Sequence, residues 1–276
     1  VTEVPVTDVP VIDVNVYLSQ WPFRRLPLDD TPRLVAKLRE RGVTQAWAGS
    51  FEALLHEDLG SVNTRLAEEC RTHGGERLLP MGSVNPVLPD WEEQLRRCHE
   101  DLGMQGIRLH PNFHGYGLQS PACIELLEQA TARGMLVQIA VQLEDPRTQH
   151  PLMQVPAVDV SPLTSLLAEN PQLQELRLIL LNSQRSVRLP LLGELAQKGK
   201  VFVDIATQEG VGGVEKLIQS VPVERILFGS FSPFFYFEAA ELKLRESPLG
   251  GALRRAIASD NAAPLVARIH STPPPN

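Results

Sequence analysis

His110, Asn112 and His114 stand together in the stretch Gly103-Met-Gln-Gly-Ile-Arg-Leu-His-Pro-Asn-Phe-His-Gly-Tyr116, and acid-base chemistry is the first use they suggest. An imidazole that titrates near neutral pH can take or give a proton, or hold a developing oxyanion. Two imidazoles four residues apart on a helix can also share a metal, but Pro111 lies between these two and argues against that presentation. His110 is therefore the candidate catalytic residue, with Asn112 and His114 as candidate substrate contacts. A histidine held by backbone hydrogen bonds is the plain structural alternative.

Other polar residues gather at the ends of apolar runs. Asn15 and Tyr17 alternate with valines in Val11-Ile-Asp-Val-Asn-Val-Tyr17, Asn182 closes an apolar run, and Gln142 leads into Glu144, Asp145, Arg147 and His150. Asn15, Tyr17, Gln142 and Asn182 are candidate ligand contacts, and Arg147 could hold a substrate carboxylate. The alternative for Asn15 and Tyr17 is polar filling bonded within itself, and for the charged loop simple solvation. Glu52, His56 and Asp58 follow another run in the same manner, and Asp58 suits a helix cap equally well. Ser230 has no evident His/Asp partner, which leaves a serine hydrolase weakly supported. Trp21, Phe23, Phe231, Phe234, Phe235 and Tyr236 fit an aromatic rim over a pocket, or packing in the core or between subunits.

Positioning these residues takes a repeated strand and helix. Gln105 to His110 reads as a short buried strand that Pro111 ends, and Asn112 to Gly117 as a polar, glycine-hinged loop. Strands are expected at 11–17, 44–49, 78–84, 105–110, 135–142, 176–182, 201–206 and 225–230, from short β-branched or continuous apolar runs. Helices are expected between them at 31–40, 58–73, 90–102, 121–133, 161–169, 189–197 and 211–220. Thr31 is the expected cap and Pro32 the first-turn residue of the first helix, while Gly42, Gly74-Gly75 and Gly134 act as stops. Eight strands each trailed by a helix predict a closed (β/α)8 barrel, an α/β fold whose polar residues at the carboxyl ends of the strands form the mouth. An open doubly wound sheet is disfavoured because no GxGxxG follows an early strand. A single domain is expected over residues 1–276, with a core at about 11–269 and a frayed tail at 270–276.

Composition limits the partners. The 43% hydrophobic content supplies a sizeable core, and a net charge of -7 without any Lys/Arg-rich run disfavours nucleic acid or an anionic membrane. No apolar stretch approaches the roughly 20 residues that span a bilayer. The first ten residues lack the order of a secretory signal, and three cysteines without CxxC spacing fit packing in a reducing compartment, so a cytoplasmic location is expected. Most of the 23 prolines fall between the periodic segments, where they stiffen connections.

Three motifs together carry a family resemblance. Ile-Asp-Val-x-Val-x-Leu at 12–18, Gly-x-Arg-Leu-His-Pro at 106–111 and Ile-Leu-Phe-Gly-Ser-x-x-Pro at 226–233 resemble the amidohydrolase-related family of metal-dependent hydrolases and decarboxylases. Asn261-Ala262 resembles its closing helix. The resemblance implies a (β/α)8 barrel holding one divalent ion, usually zinc, that activates water or a substrate oxygen. It also implies a ligand set: a His-x-His pair ending strand one, single histidines at strands five and six, and an aspartate ending strand eight.

At those positions this chain has Asn15-x-Tyr17, no histidine from Met135 to Glu144, Asn182 and Phe231. A neutral amide is a poor zinc donor, a phenol ligates well only when ionised near pH 10, and phenylalanine donates nothing. The expectation is therefore no catalytic metal in the family's position and no other cofactor, with an atypical site at His110, His114, Glu144 or Asp145 left open. Ancestry points to a hydrolase or carboxy-lyase acting on a small organic molecule in the barrel mouth. The alternative is a non-catalytic barrel that binds a small ligand or a protein partner, and a homo-oligomer or a hetero-oligomer with an active relative remains open.

Overall fold

The computed structural model describes residues 9–266, so the expected tail lies outside them. Eight parallel strands follow one another around the sheet in chain order: β1 (Val11–Leu18), β2 (Val43–Ser50), β3 (Leu78–Gly82), β4 (Gly106–Leu109), β5 (Leu136–Ala140), β6 (Leu178–Leu181), β7 (Val201–Asp204) and β8 (Ile226–Leu227). The ring closes because residues beyond β8 bond back to β1: Val14 N–H donates to Phe228 O at 3.0 Å, Phe231 N–H to Asn15 O at 2.8 Å and Tyr17 N–H to Ser232 O at 2.8 Å. The fold is the expected (β/α)8 barrel. Strand eight is shorter than the expected 225–230, since after Leu227 the chain bonds to its neighbours singly rather than in a continuous ladder.

Around the strands run α1 (Thr31–Glu40), α2 (Leu59–Glu69), α3 (Trp91–Arg96), α4 (Pro111–His114), α5 (Pro121–Ala132), α6 (Leu163–Glu169), α7 (Leu189–Lys198), α8 (Gly213–Ser220), α9 (Phe237–Glu246) and α10 (Gly251–Arg255). Four of these, α1 to α4, differ from expectation for local reasons. The cap of α1 is Asp30, whose carboxylate accepts from Arg33 N–H at 3.1 Å, and Thr31 is the first helical residue rather than the cap. The segment after His110 is not all loop: Pro111 starts one helical turn, which Gly115 ends at φ 73° in the left-handed region glycine tolerates. The helices expected at 58–73 and 90–102 are α-helical only to Glu69 and Arg96, then continue as wider turns at Cys70–Gly74 and Arg97–Asp101. Asp58 is a cap, accepting from Ser61 N–H at 3.0 Å.

Strand alternation sorts the core into two shells. Ile107, Leu109, Val137, Ile139, Leu178, Leu180, Val201 and Val203 face outward into the shell under the helices, which also holds Cys70, Cys98 and Cys123 as free, buried thiols. Val14, Trp47, Leu79, Met81, Leu136, Ile179, Phe202 and Leu227 fill the lower barrel interior. Strand β1 changes phase on the way up, because the four residues from Asp13 to Val16 oppose the three from Ala46 to Ala48. That bulge lets Val14 join the lower core and Tyr17 the layer above it. Among the described residues no helix is long and apolar enough to cross a membrane.

Candidate functional site in the barrel mouth

Above the apolar floor the interior becomes polar. Arg108 points inward from β4 and is fully buried. Its Nε donates to Gln138 Oε1 at 2.8 Å, and its Nη atoms donate to the carbonyls of Val16, Trp47 and Val14 at 2.7, 2.9 and 3.3 Å. The guanidinium also lies over the Tyr17 ring, 4.4 Å from its centroid. Room for it exists because position 49 is glycine: a Cβ there would stand 2.8 Å from Arg108 Nη1. Burial lowers the pKa of Arg108, and the carbonyl cage and ring face offset part of that cost.

On the opposite wall Asn15, Asn182 and Asp204 form one network. Asn15 Nδ2 donates to Asp204 Oδ2 at 2.6 Å and to Asn182 Oδ1 at 2.9 Å, and Asn182 N–H donates to Asp204 Oδ1 at 2.9 Å. Asp13 adjoins it, accepting from Ser230 N–H at 3.0 Å and Asn15 N–H at 3.1 Å, which ties β1 to the end of β8. Burial raises the Asp13 carboxyl to about 7 and the Asp204 carboxyl to about 6. Asp13 Oδ2, Asn15 Oδ1 and Asn182 Nδ2 are buried without a protein partner.

His110 lies at the top of β4 with 1% of its surface exposed. Tyr17 Oη is 3.0 Å from its Nε2 and Ser83 Oγ 3.5 Å from its Nδ1. Ser83 gives its own proton to Arg108 O, so it accepts from Nδ1–H, which assigns Nε2 as the acceptor of the Tyr17 hydroxyl. Burial, then His114 and Arg108, hold the imidazole pKa well below its usual value, while burial lifts the Tyr17 phenol to about 12. The pair is therefore neutral on both sides across the physiological range.

A hydrophobic layer covers this polar ring. Tyr17, Trp21, Leu26, Phe51, Leu54, Ala140, Leu143, Ala206 and Phe231 form one buried cluster, flanked by Phe113, Phe234 and Phe235. Tyr17 stacks on Phe51 with ring centroids 4.5 Å apart, Phe231 stacks on Phe234 at 4.8 Å, and Trp21 meets Phe51 and Phe234 edge-on. A cavity between Trp21, Asn112, Leu143 and Met153 measures about 10 Å³, room for no more than one water. A hollow of about 480 Å³ lies beside the carboxyl ends of β1 and β2, between Ser19, Ser50, the start of α1 and the second half of α2, and one of about 280 Å³ lies between α1 and the chain entering α9.

The expected site residues are thus distributed unevenly. Asn15, Tyr17, His110 and Asn182 converge within the barrel. His114 sits beside His110, at 5.9 Å between ring centroids, but its Nε2 is bound to Ala53 O at 2.8 Å. Asn112 bonds Pro156 O, and Gln142 bonds Glu144 O, so both brace loops. Arg147 is 88% exposed and paired with Asp145 at 2.7 Å, away from the buried network. Arg108, Gln138 and Asp13 are the interior groups that sequence reasoning did not single out, whereas Asp204 falls where the end of strand seven was expected to face the mouth. A charged residue inside the apolar run Gly-Ile-Arg-Leu is the signal that would have marked Arg108.

A model of the amidohydrolase family matches residues 17–268. The chain belongs to that family. Among solved structures, the amidohydrolase barrel is similar to 5-carboxyvanillate decarboxylase from Sphingomonas paucimobilis, with a TM-score of 0.72 and 13% identity over 94% of this chain and 99% of that one. It is also similar to a dihydroxybenzoic acid decarboxylase from Polaromonas sp. JS666 with bound manganese and 2-nitroresorcinol (TM-score 0.71, 14% identity, 93% and 96% covered). A third is 4-oxalomesaconate hydratase from Rhodopseudomonas palustris (TM-score 0.61, 13% identity, 93% and 95% covered). At these identities the likeness carries the fold alone. No curated protein matches the chain.

Proposed function

We propose that this amidohydrolase-family barrel has given up the family's metal-dependent reaction and serves as a non-catalytic binding or assembly protein. The observation that carries this reading is the filled mouth: Tyr17, Phe51 and Phe231 are fully buried over polar groups bonded to one another and to strand carbonyls. The donors present do not fit a divalent ion. Asn15 turns its amide nitrogen, not its oxygen, to Asp204, and Tyr17 keeps its proton on His110. Phe231 has no electron pair to give, and the Arg108 guanidinium brings a positive charge to the same interior. Among the described residues no three His, Cys, Asp or Glu side chains group so as to hold a metal.

Ancestry supplies a second reading, that of a hydrolase or carboxy-lyase working without the metal. The Tyr17–His110 hydrogen bond favours it, since a neutral imidazole beside a phenol is a general base with its proton partner in place. Such chemistry requires the aromatic layer to part. The two readings separate by assay of protein purified without chelator, using elemental analysis and decarboxylation of dihydroxybenzoate and 5-carboxyvanillate. Stoichiometric metal, or turnover abolished by His110→Ala, would overturn the non-catalytic reading; neither is expected.

A further inference from the structure

The hollow of about 280 Å³ between α1 and the chain entering α9 is apolar on both sides, with Leu28, Leu34 and Leu38 on one wall and Pro233, Phe235 and Phe237 on the other. It lies outside the barrel, since Leu34, Leu38 and Phe237 belong to the shell between strands and helices. These three are at most 4% exposed, so the hollow is set into the core rather than spread over the surface. Leu28 holds φ of 62°, in the left-handed region that a leucine rarely adopts, so this wall is kept at a cost in backbone strain.

The polar groups that line the hollow restrict what it can hold. At its edge Lys37 Nζ lies 2.8 Å from Glu238 Oε1, which Arg41 also holds at 2.6 Å, so an ionic ligand would have to break an existing pair and a neutral one would not. Ser232 lines it too and is 2% exposed. Its Oγ accepts from Ser230 Oγ at 2.8 Å, and its own hydroxyl proton meets no acceptor among the described residues. A buried donor of that kind favours a ligand that brings an acceptor. We propose that the hollow is a binding site for a small neutral ring compound carrying a carbonyl oxygen. An apolar cavity of roughly 150 Å³ takes benzene, so this larger one takes two fused rings or one ring with a short chain. Phe235, Tyr236 and Phe237 around it favour a ring over an aliphatic chain, and apolar walls with a few fixed polar groups are the usual make-up of a small-molecule site. The site goes beyond both readings of the mouth, because neither turnover nor a sealed interior bears on a hollow outside the barrel.

The test is equilibrium dialysis of the full chain against coumarin, a neutral bicyclic lactone, and against naphthalene, a ring system of similar size without an oxygen. Coumarin is expected to bind the wild type at one site per chain. Leu34→Phe, which puts a ring into the hollow, is expected to abolish binding of both probes with an unchanged far-ultraviolet circular dichroism spectrum. Pro27→Trp at the exposed rim of the hollow takes its place if Leu34→Phe does not fold. Ser232→Ala is expected to weaken coumarin about 5- to 10-fold and to leave naphthalene unchanged, as loss of one hydrogen bond requires. A wild type that binds no coumarin up to the solubility limit of the probe overturns the site, as does wild-type affinity in a folded blocking variant. Equal weakening of both probes by Ser232→Ala overturns the selection for a carbonyl oxygen.

Discussion

The Tyr17 hydroxyl and His110 Nε2 meet at 3.0 Å inside a sealed barrel, joining the first strand to the fourth across 93 residues of chain. Each is at most 1% exposed, so neither has water as an alternative partner. Tyr17→Phe keeps the ring and removes the donor, leaving a buried imidazole nitrogen unsatisfied. The expected loss is about 1 to 3 kcal/mol in urea unfolding. A variant as stable as the wild type would show that the two groups are not bonded.

Asp13 and Asp204 give the protein a pH dependence of definite sign. Both carboxyls are raised in the folded state, to about 7 and about 6 from 3.8, chiefly by burial. The folded chain therefore holds protons that the unfolded chain has released. Their contribution to stability is fully present below the unfolded value and is lost as pH rises through 6 and 7. Asp13→Asn has no proton to lose and keeps an oxygen for Ser230 N–H. Unfolding midpoints measured from pH 4 to 8 should show the variant gaining on wild type as pH rises; a constant difference would mean that Asp13 does not titrate there.

Gly49 and Arg108 are sterically linked. A methyl group at position 49 would lie 2.8 Å from Arg108 Nη1 and 2.9 Å from its Cδ. Gly49→Ala is expected to destabilise by about 1 to 3 kcal/mol through overpacking. Arg108→Met in the same background should recover part of that loss, and additivity of the two changes in a thermal double-mutant cycle would refute the contact.

Phe231 stands just beyond the end of β8, where the family resemblance in the sequence implies a metal-binding aspartate. Phe231→Asp should not install zinc binding, because Asn15, Asn182 and Tyr17 offer two amides and a protonated phenol, and the nearby carboxyls of Asp13 and Asp204 are engaged by Ser230, Asn15 and Asn182. It should instead destabilise by about 3 to 5 kcal/mol, from the lost ring and the buried acid. Calorimetric titration with zinc and manganese is the check, and tight stoichiometric binding would show that the remaining donors are competent.

Much of the framework was legible in the sequence. The β-branched runs, the glycine stops and the single proline after His110 located every strand within a few residues, since these depend on local sterics and on the alternation of buried and exposed faces. Asp30 capping α1 in place of Thr31, the helical turn at Pro111–His114 and the short β8 differ because a cap or a ladder depends on which neighbouring backbone group is free to bond.

The sequence by itself determined the barrel, the family, and the presence of asparagine, tyrosine and phenylalanine at the expected ligand positions. What only the tertiary structure decided was how those side chains face one another. The Asn15 amide turns its nitrogen to Asp204, Arg108 threads past Gly49 to the carbonyls of β1 and β2, and aromatic rings from the loops after β1, β2 and β8 close over His110. These contacts join residues far apart in the chain, and their geometry follows from how eight strands tilt and close, which no local pattern of residues records.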